Sequence, residues 1–242
     1  MSRTDFVPVL ATRYVGLMLT TGGVLAVVAN ALRPRYDGED VDVYGQIAGS
    51  STYLISTVAL VGALLLGTIG LVGLADHIGP AHPVTHAGRL TALMRGTIAV
   101  IQSGIDLGAV RQQAITFADA APGDRVGAFW STNSLDRLSS GLFALWTVIL
   151  LGLTPLLLST AVRLSGRPMR WQNPLTILGG VGGLTCLAVG AIGLLVHDQG
   201  PTKIPFAIGS TLFTLWMLGT GAALLTQRPT ELAPTRPSVP TT

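Results

Sequence analysis

Arg95, Gln102, Asp106 and Gln113 stand 7, 11 and 18 residues apart, counted from Arg95, inside an otherwise apolar stretch. At 100° per residue they fall within about 20° of one line along a helix. An arginine or aspartate near the centre of a bilayer helix costs about 2.5–3.5 kcal/mol, and each apolar residue returns only about 0.3–0.6 kcal/mol. The nine Leu, Ile, Val and Met residues from Leu90 to Val110 do not clearly offset two such charges. Groups that expensive either pair with one another or serve a ligand, an ion or a proton. The next apolar stretch carries a second polar line, with Ser140, Thr147 and Thr154 at 4, 11 and 18 residues from Asp136. The two lines predict a polar site within the helix layer made of Arg95, Gln102, Asp106, Arg111, Asp136 and Arg137. Asp106, Arg111, Asp136 and Arg137 are expected to gather near one end of the two helices. There they form either ion pairs that fix the packing or a ligand or proton site.

Other chemistries find little support. His77, His82 and His86 share a turn with Pro80 and Pro83, but no Cys or Glu completes a ligand set and the spacing matches no zinc pattern, so no metal is expected. Cys186 stands alone in an apolar block and reads as a packing residue. The glycines lie within apolar stretches, not between a strand and a helix, which argues against dinucleotide binding. No nucleophile elbow, phosphate loop or paired-histidine protease motif occurs, so no catalytic residue and no cofactor is assigned. Gly179 and Gly183 form a face of small residues where helix backbones approach closely, with Gly182, Cys186 and Gly190 on the adjacent face. That face serves packing within the chain or docking on another membrane protein.

The elements that must position these residues are apolar blocks. Of 242 residues, 49% are hydrophobic and 11% charged, against roughly 25% charged in soluble domains. The blocks run near 20 residues, the length that crosses a hydrocarbon layer of about 30 Å. Six helices are predicted, over about Tyr14–Leu32, Tyr53–Ala75, Arg89–Gln113, Ser134–Val162 with a kink at Pro155, Pro174–Val196 and Pro205–Thr226. The third is the least apolar. Loops are expected from Arg33 to Ser51, rich in Asp and Glu, and from Phe117 to Asn133, with a basic turn at Arg163, Arg167, Pro168 and Arg170. The fold class is therefore an all-α polytopic transmembrane bundle over residues 1–226, followed by a disordered Pro/Thr-rich tail over 227–242.

Placing the N-terminus inside leaves eight basic residues in inner segments and four in outer ones, which puts both termini in the cytoplasm. The first block also resembles a signal sequence ending at Ala29-Asn30-Ala31, although its apolar run exceeds the usual signal core. A short echo of Gly70–His77 at Gly190–His197 hints at an inverted repeat. The basic residues stand singly, so nucleic acid is not an expected partner. Arginine outnumbers lysine fourteen to one, a mark of GC-rich bacterial coding.

Three stretches carry a family resemblance: Leu32-Arg33-Pro34-Arg35-Tyr36-Asp37 with Tyr44 to Ser51, Asp106-Leu107-Gly108-Ala109-Val110-Arg111 with Ala120-Ala121-Pro122, and Arg167-Pro168-Met169-Arg170-Trp171. In this order they resemble uncharacterised actinobacterial six-helix integral membrane proteins. Relatives often show His-Pro where this chain has Arg33-Pro34. The resemblance implies the fold and a multi-pass place in a bacterial plasma membrane, and no activity. The partners expected are the lipid bilayer, a small molecule or lipid held or moved between the helices, or another membrane protein for which this chain is a structural or regulatory subunit.

Overall fold

The apolar blocks become helices. A computed structural model of the chain describes residues 3–34, 40–79, 82–165, 172–195 and 203–227, and among these there is no strand. The helices are α1 (Arg3–Leu32), α2 (Asp40–Gly49), α3 (Ser51–Ile78), α4 (Pro83–Gly104), α5 (Arg111–Asp119), α6 (Arg125–Trp146), α7 (Thr154–Leu164), α8 (Gln172–Leu195) and α9 (Lys203–Thr226). Two π-helical segments, Ile105–Val110 and Thr147–Leu153, join α4 to α5 and α6 to α7. The basic turn at Arg167, Pro168 and Arg170, the second half of the repeat at His197, and the tail over 228–242 lie outside the described residues.

Six rods result: α1, α3, α4 with α5, α6 with α7, α8 and α9. Each packs on the next in the chain, and α9 closes the ring on α1. Glycines make the tightest contacts. A Cβ on Gly22 would stand 2.8 Å from the Gly67 amide nitrogen, and one on Gly16 would stand 2.8 Å from the Gly221 carbonyl oxygen, so α1 meets α3 and α9 backbone to backbone. α1, with its signal-like end, is thus built into the bundle.

Among the described residues five stretches are long and apolar enough to cross a membrane: Leu10–Leu32, Ser51–Ile78, Arg125–Leu164, Gln172–Ile192 and Ile204–Thr226. The rod carrying Arg95 and Asp106 is not one of them. The outer faces of the bundle are apolar, unlike those of a protein in water, and polar side chains are buried beside its apolar core. Ile55, Val58, Leu65 and Ile69 of α3 and Ile177, Val181 and Leu184 of α8 are exposed, while Arg95, Gln102, Ser139, Thr147, Thr154 and Thr220 are buried. Exposed hydroxyls on the rods do not need water either. Thr97, Thr160, Thr185 and Thr211 each donate to the carbonyl four residues back in their own helix.

Helix ends follow local chemistry. The Ser50 hydroxyl accepts from the Tyr53 amide to start α3, and Gly79, at φ 95°, ends it in a conformation that side chains other than glycine rarely adopt. The His82 ring accepts from the Val84 amide at the start of α4, with Pro83 in its first turn. Pro155 has no N–H to donate up the helix. The distortion falls just before it, as the π segment Thr147–Leu153, where the Thr154 hydroxyl satisfies the Ile149 carbonyl at 3.0 Å.

Both expected loops are shorter than predicted. The Arg33–Ser51 segment contains α2, and the Phe117–Asn133 segment contracts to residues 120–124 between α5 and α6. The reason is a second, small core. Tyr44 and Ile47 of α2 pack with Tyr53, Ala114 and Phe117, and Phe129 joins them, with ring centroids 5.9–6.3 Å apart among Tyr44, Phe117 and Phe129. This cap sits where α1 ends, α3 begins and α5 turns into α6.

Candidate functional site

The centre of the site is the face between α4 and α6, which run antiparallel. Gln102, one turn before Asp106, is buried, and its amide donates to the Asp106 carboxylate at 3.4 Å and lies 3.3 Å from the Ser139 hydroxyl. Ser139 donates to the other Asp106 oxygen. The Trp146 indole N–H donates to the Gln102 carbonyl. These four side chains form one continuous network, two from each rod. Both π segments abut it: Asp106 belongs to the first, and Trp146 immediately precedes the second. Such local widening of a helix is frequent at functional sites.

The network faces space. A cavity of about 20 Å³ is lined by Gln102, Asp106, Trp146, Tyr53, Ser56 and Arg33, among others. A second, of about 80 Å³, is lined by Arg95, Phe143, Trp146, Phe213, Met217 and Arg33. They share Asn30, Arg33, Leu60, Leu64, Phe143 and Trp146. Together they make a vestibule descending from exposed Arg33 and Asn30, at the cap end of α1, to buried Arg95 in the bundle. By volume the first part holds about one water and the second several.

Of the residues singled out in the sequence, Gln102 and Asp106 meet, and Arg95 lies on the same side but deeper. Eleven residues of helix separate Arg95 from Asp106 by about 16 Å, too far for an ion pair. Arg95 is 3% exposed; its Nε and Nη1 have no hydrogen-bond partner, and its guanidinium carbon lies 5.0 Å from the centre of the Phe213 ring. A cation over an aromatic face is worth about 0.5–2 kcal/mol, well short of replacing a counter-charge. Arg111 is half-buried with Nε unpartnered, Asp136 is half-buried and engaged, and Arg137 is exposed. An ion pair does form elsewhere, between Arg89 Nε and Asp76 at 3.0 Å, at the opposite end of the bundle.

Gln113 leaves the line. The π segment inserts an extra residue between it and Asp106, which turns its side chain toward α6, where it accepts from Ser131 at 3.3 Å. On α6 the residue that meets Asp106 is Ser139, one position before the expected Ser140. Sequence reasoning also missed Trp146. A usable signal exists: Thr132, Ser139 and Trp146 repeat every seven residues and all are buried, as Arg95 and Gln102 do on the facing helix.

Gly179 and Gly183 pack inside the chain. A Cβ on Gly179 would run into Ser159 and come within 2.8 Å of Trp216 Nε1, and one on Gly183 would stand 2.7 Å from the Gly152 carbonyl. Cys186 is buried in the main core. His77 Nδ1 lies 3.4 Å from the Thr12 hydroxyl, and His86 is exposed. Among the described residues no three His, Cys, Asp or Glu side chains gather to hold a metal.

Comparison of the chain with protein-family models, with curated proteins and with solved structures finds no match.

Proposed function

We propose that the chain is a multi-pass integral protein of a bacterial plasma membrane, crossing it six times with both termini in the cytoplasm, and that it binds or passes a small solute between its helices. The apolar exterior supports the membrane: contiguous exposed Ile, Leu and Val faces cost free energy in water and none among acyl chains. The sixth crossing is the Arg95 rod, whose buried charged side chain and polar network are sheltered by its neighbours. The excess of arginine over lysine supports the bacterial source.

One observation carries the solute reading. Asp106 is not sealed in an ion pair but lines a cavity that continues to the exposed Arg33. A purely structural carboxylate needs no vestibule. The interior volumes, about 20 and 80 Å³, are far below the roughly 300–1,000 Å³ of drug-sized pockets, so the solute is compact and a whole lipid does not fit. The alternative, a subunit docking through Gly179 and Gly183, is not favoured, because α7, α9 and the second π segment already fill that face.

Native mass spectrometry of protein released gently from its own membrane tests this reading. A stoichiometric low-mass adduct is expected, with an occupancy that Asp106→Leu changes when equal amounts of folded protein are compared. An intact bundle with no adduct, or with a reproducible partner chain in its place, overturns it.

A further inference from the structure

Arg95 is the charge that the polar network leaves over. It is almost wholly buried and has two unpartnered guanidinium nitrogens. Asp106 lies about 16 Å along the helix and is occupied by Ser139 and Gln102. The chamber around Arg95 is lined by no carboxylate. Its walls are largely apolar, and apart from the two arginines its polar lining is neutral: Asn30, Ser210, Thr214 and the Trp146 indole. The guanidinium packs beside Gly67, where a Cβ would lie 3.6 Å from Nη2, in ordinary van der Waals contact. A buried cation without a counter-charge is costly, and here it borders open space that leads to a second cation, Arg33, at the rim.

We propose that the Arg95 chamber is a binding site for one compact monoanion, of the size of chloride, nitrate or a small carboxylate, which enters past Arg33. This deepens the solute reading given above, and rests on it, by naming the ligand's class. About 80 Å³ admits such an anion with a water or two, but no nucleotide or sugar phosphate. The main competitor is water alone around the guanidinium.

The test is thermal unfolding of the full chain in an uncharged maltoside micelle, at constant ionic strength, as sodium gluconate is exchanged for sodium nitrate, chloride or acetate. Gluconate is too large for the chamber. Binding to the folded state raises Tm in proportion to ln(1 + [L]/Kd), so a saturable rise with the compact anions is expected. Arg95→Gln should abolish the rise, Arg95→Lys should weaken it, and Arg33→Gln, at an exposed position, should raise the half-saturating concentration several-fold. A Tm that ignores anion identity, or a rise that persists in Arg95→Gln, overturns the proposal. If neither Arg95 variant folds, the wild-type titration and Arg33→Gln decide: no saturable rise, or one that Arg33→Gln leaves unmoved, overturns it. A native adduct without any anion response would sink this inference and leave the solute reading standing. A chain that folds in plain buffer would sink the membrane reading, and the titration would then be read in that buffer.

Discussion

The Ser139 hydroxyl donates to the Asp106 carboxylate across the interface of α4 and α6, joining two antiparallel rods through a residue that sits in a π-helical turn. Hydrogen bonds to a charged group contribute about 1.5–3 kcal/mol. Ser139→Ala should therefore lower stability in micelles by about that amount. A double-mutant cycle with Asp106→Asn, read by thermal unfolding, should show coupling of about 0.5–3 kcal/mol. Additive losses would mean the two side chains do not act together.

Glycines of one helix should divide sharply by position. A Cβ on Gly183 would stand 2.7 Å from the Gly152 carbonyl, whereas one on Gly180 would meet nothing within 4 Å. Gly183→Leu should cost well over the 1–3 kcal/mol typical of overpacking, because backbone cannot yield as a side chain does. Gly180→Leu should leave the folded yield intact. Fluorescence-detected size exclusion of the two variants compares them directly, and equal yields would contradict the packing described.

Orientation can be read by labelling. In a Cys186→Ala background, Gly123→Cys places a thiol in the short turn between α5 and α6, and His86→Cys places one at the exposed opposite end of the bundle. A membrane-impermeant maleimide added to intact cells should modify the first and spare the second until the cells are opened. The reverse pattern would invert the topology.

The cap should open without the bundle. Its core is small and local, built around Tyr44, Phe117 and Phe129, and satellite clusters unfold at lower free energy than the main core. Phe117→Ala should abolish hydrogen-exchange protection over α2 and α5 while α3 and α8 keep theirs. Loss of protection throughout would make the cap part of one cooperative unit.

Much of this architecture is legible in the sequence, since block length and apolarity are properties of single segments. Tyr53–Ala75 and Pro205–Thr226 need no neighbour to be recognised, and the line through Arg95, Gln102 and Asp106 follows from helical spacing alone. What escaped depends on contacts between segments. α2 hides in an acidic stretch because Tyr44 and Ile47 find their apolar partners in Phe117 and Phe129, more than sixty residues away. The turn toward Ser139, and the departure of Gln113, come from π segments that break the 100° rule on which the stripe was drawn. Pro155 marked one of those segments, but nothing in Ile105–Val110 advertises the other.

The rod from Pro83 to Asp119 fails the apolarity that its five companions satisfy, and this bears on how the protein is made. A nascent segment that partitions poorly by itself must linger at the insertion machinery. α3, already synthesised, gives it one wall; the Ser139 and Trp146 face, emerging afterwards, gives it the other. On the proposed topology, release of the third crossing into the membrane is tied to translation of the fourth, and a ribosome stalled between the two would strand Arg95 and Asp106 without shelter.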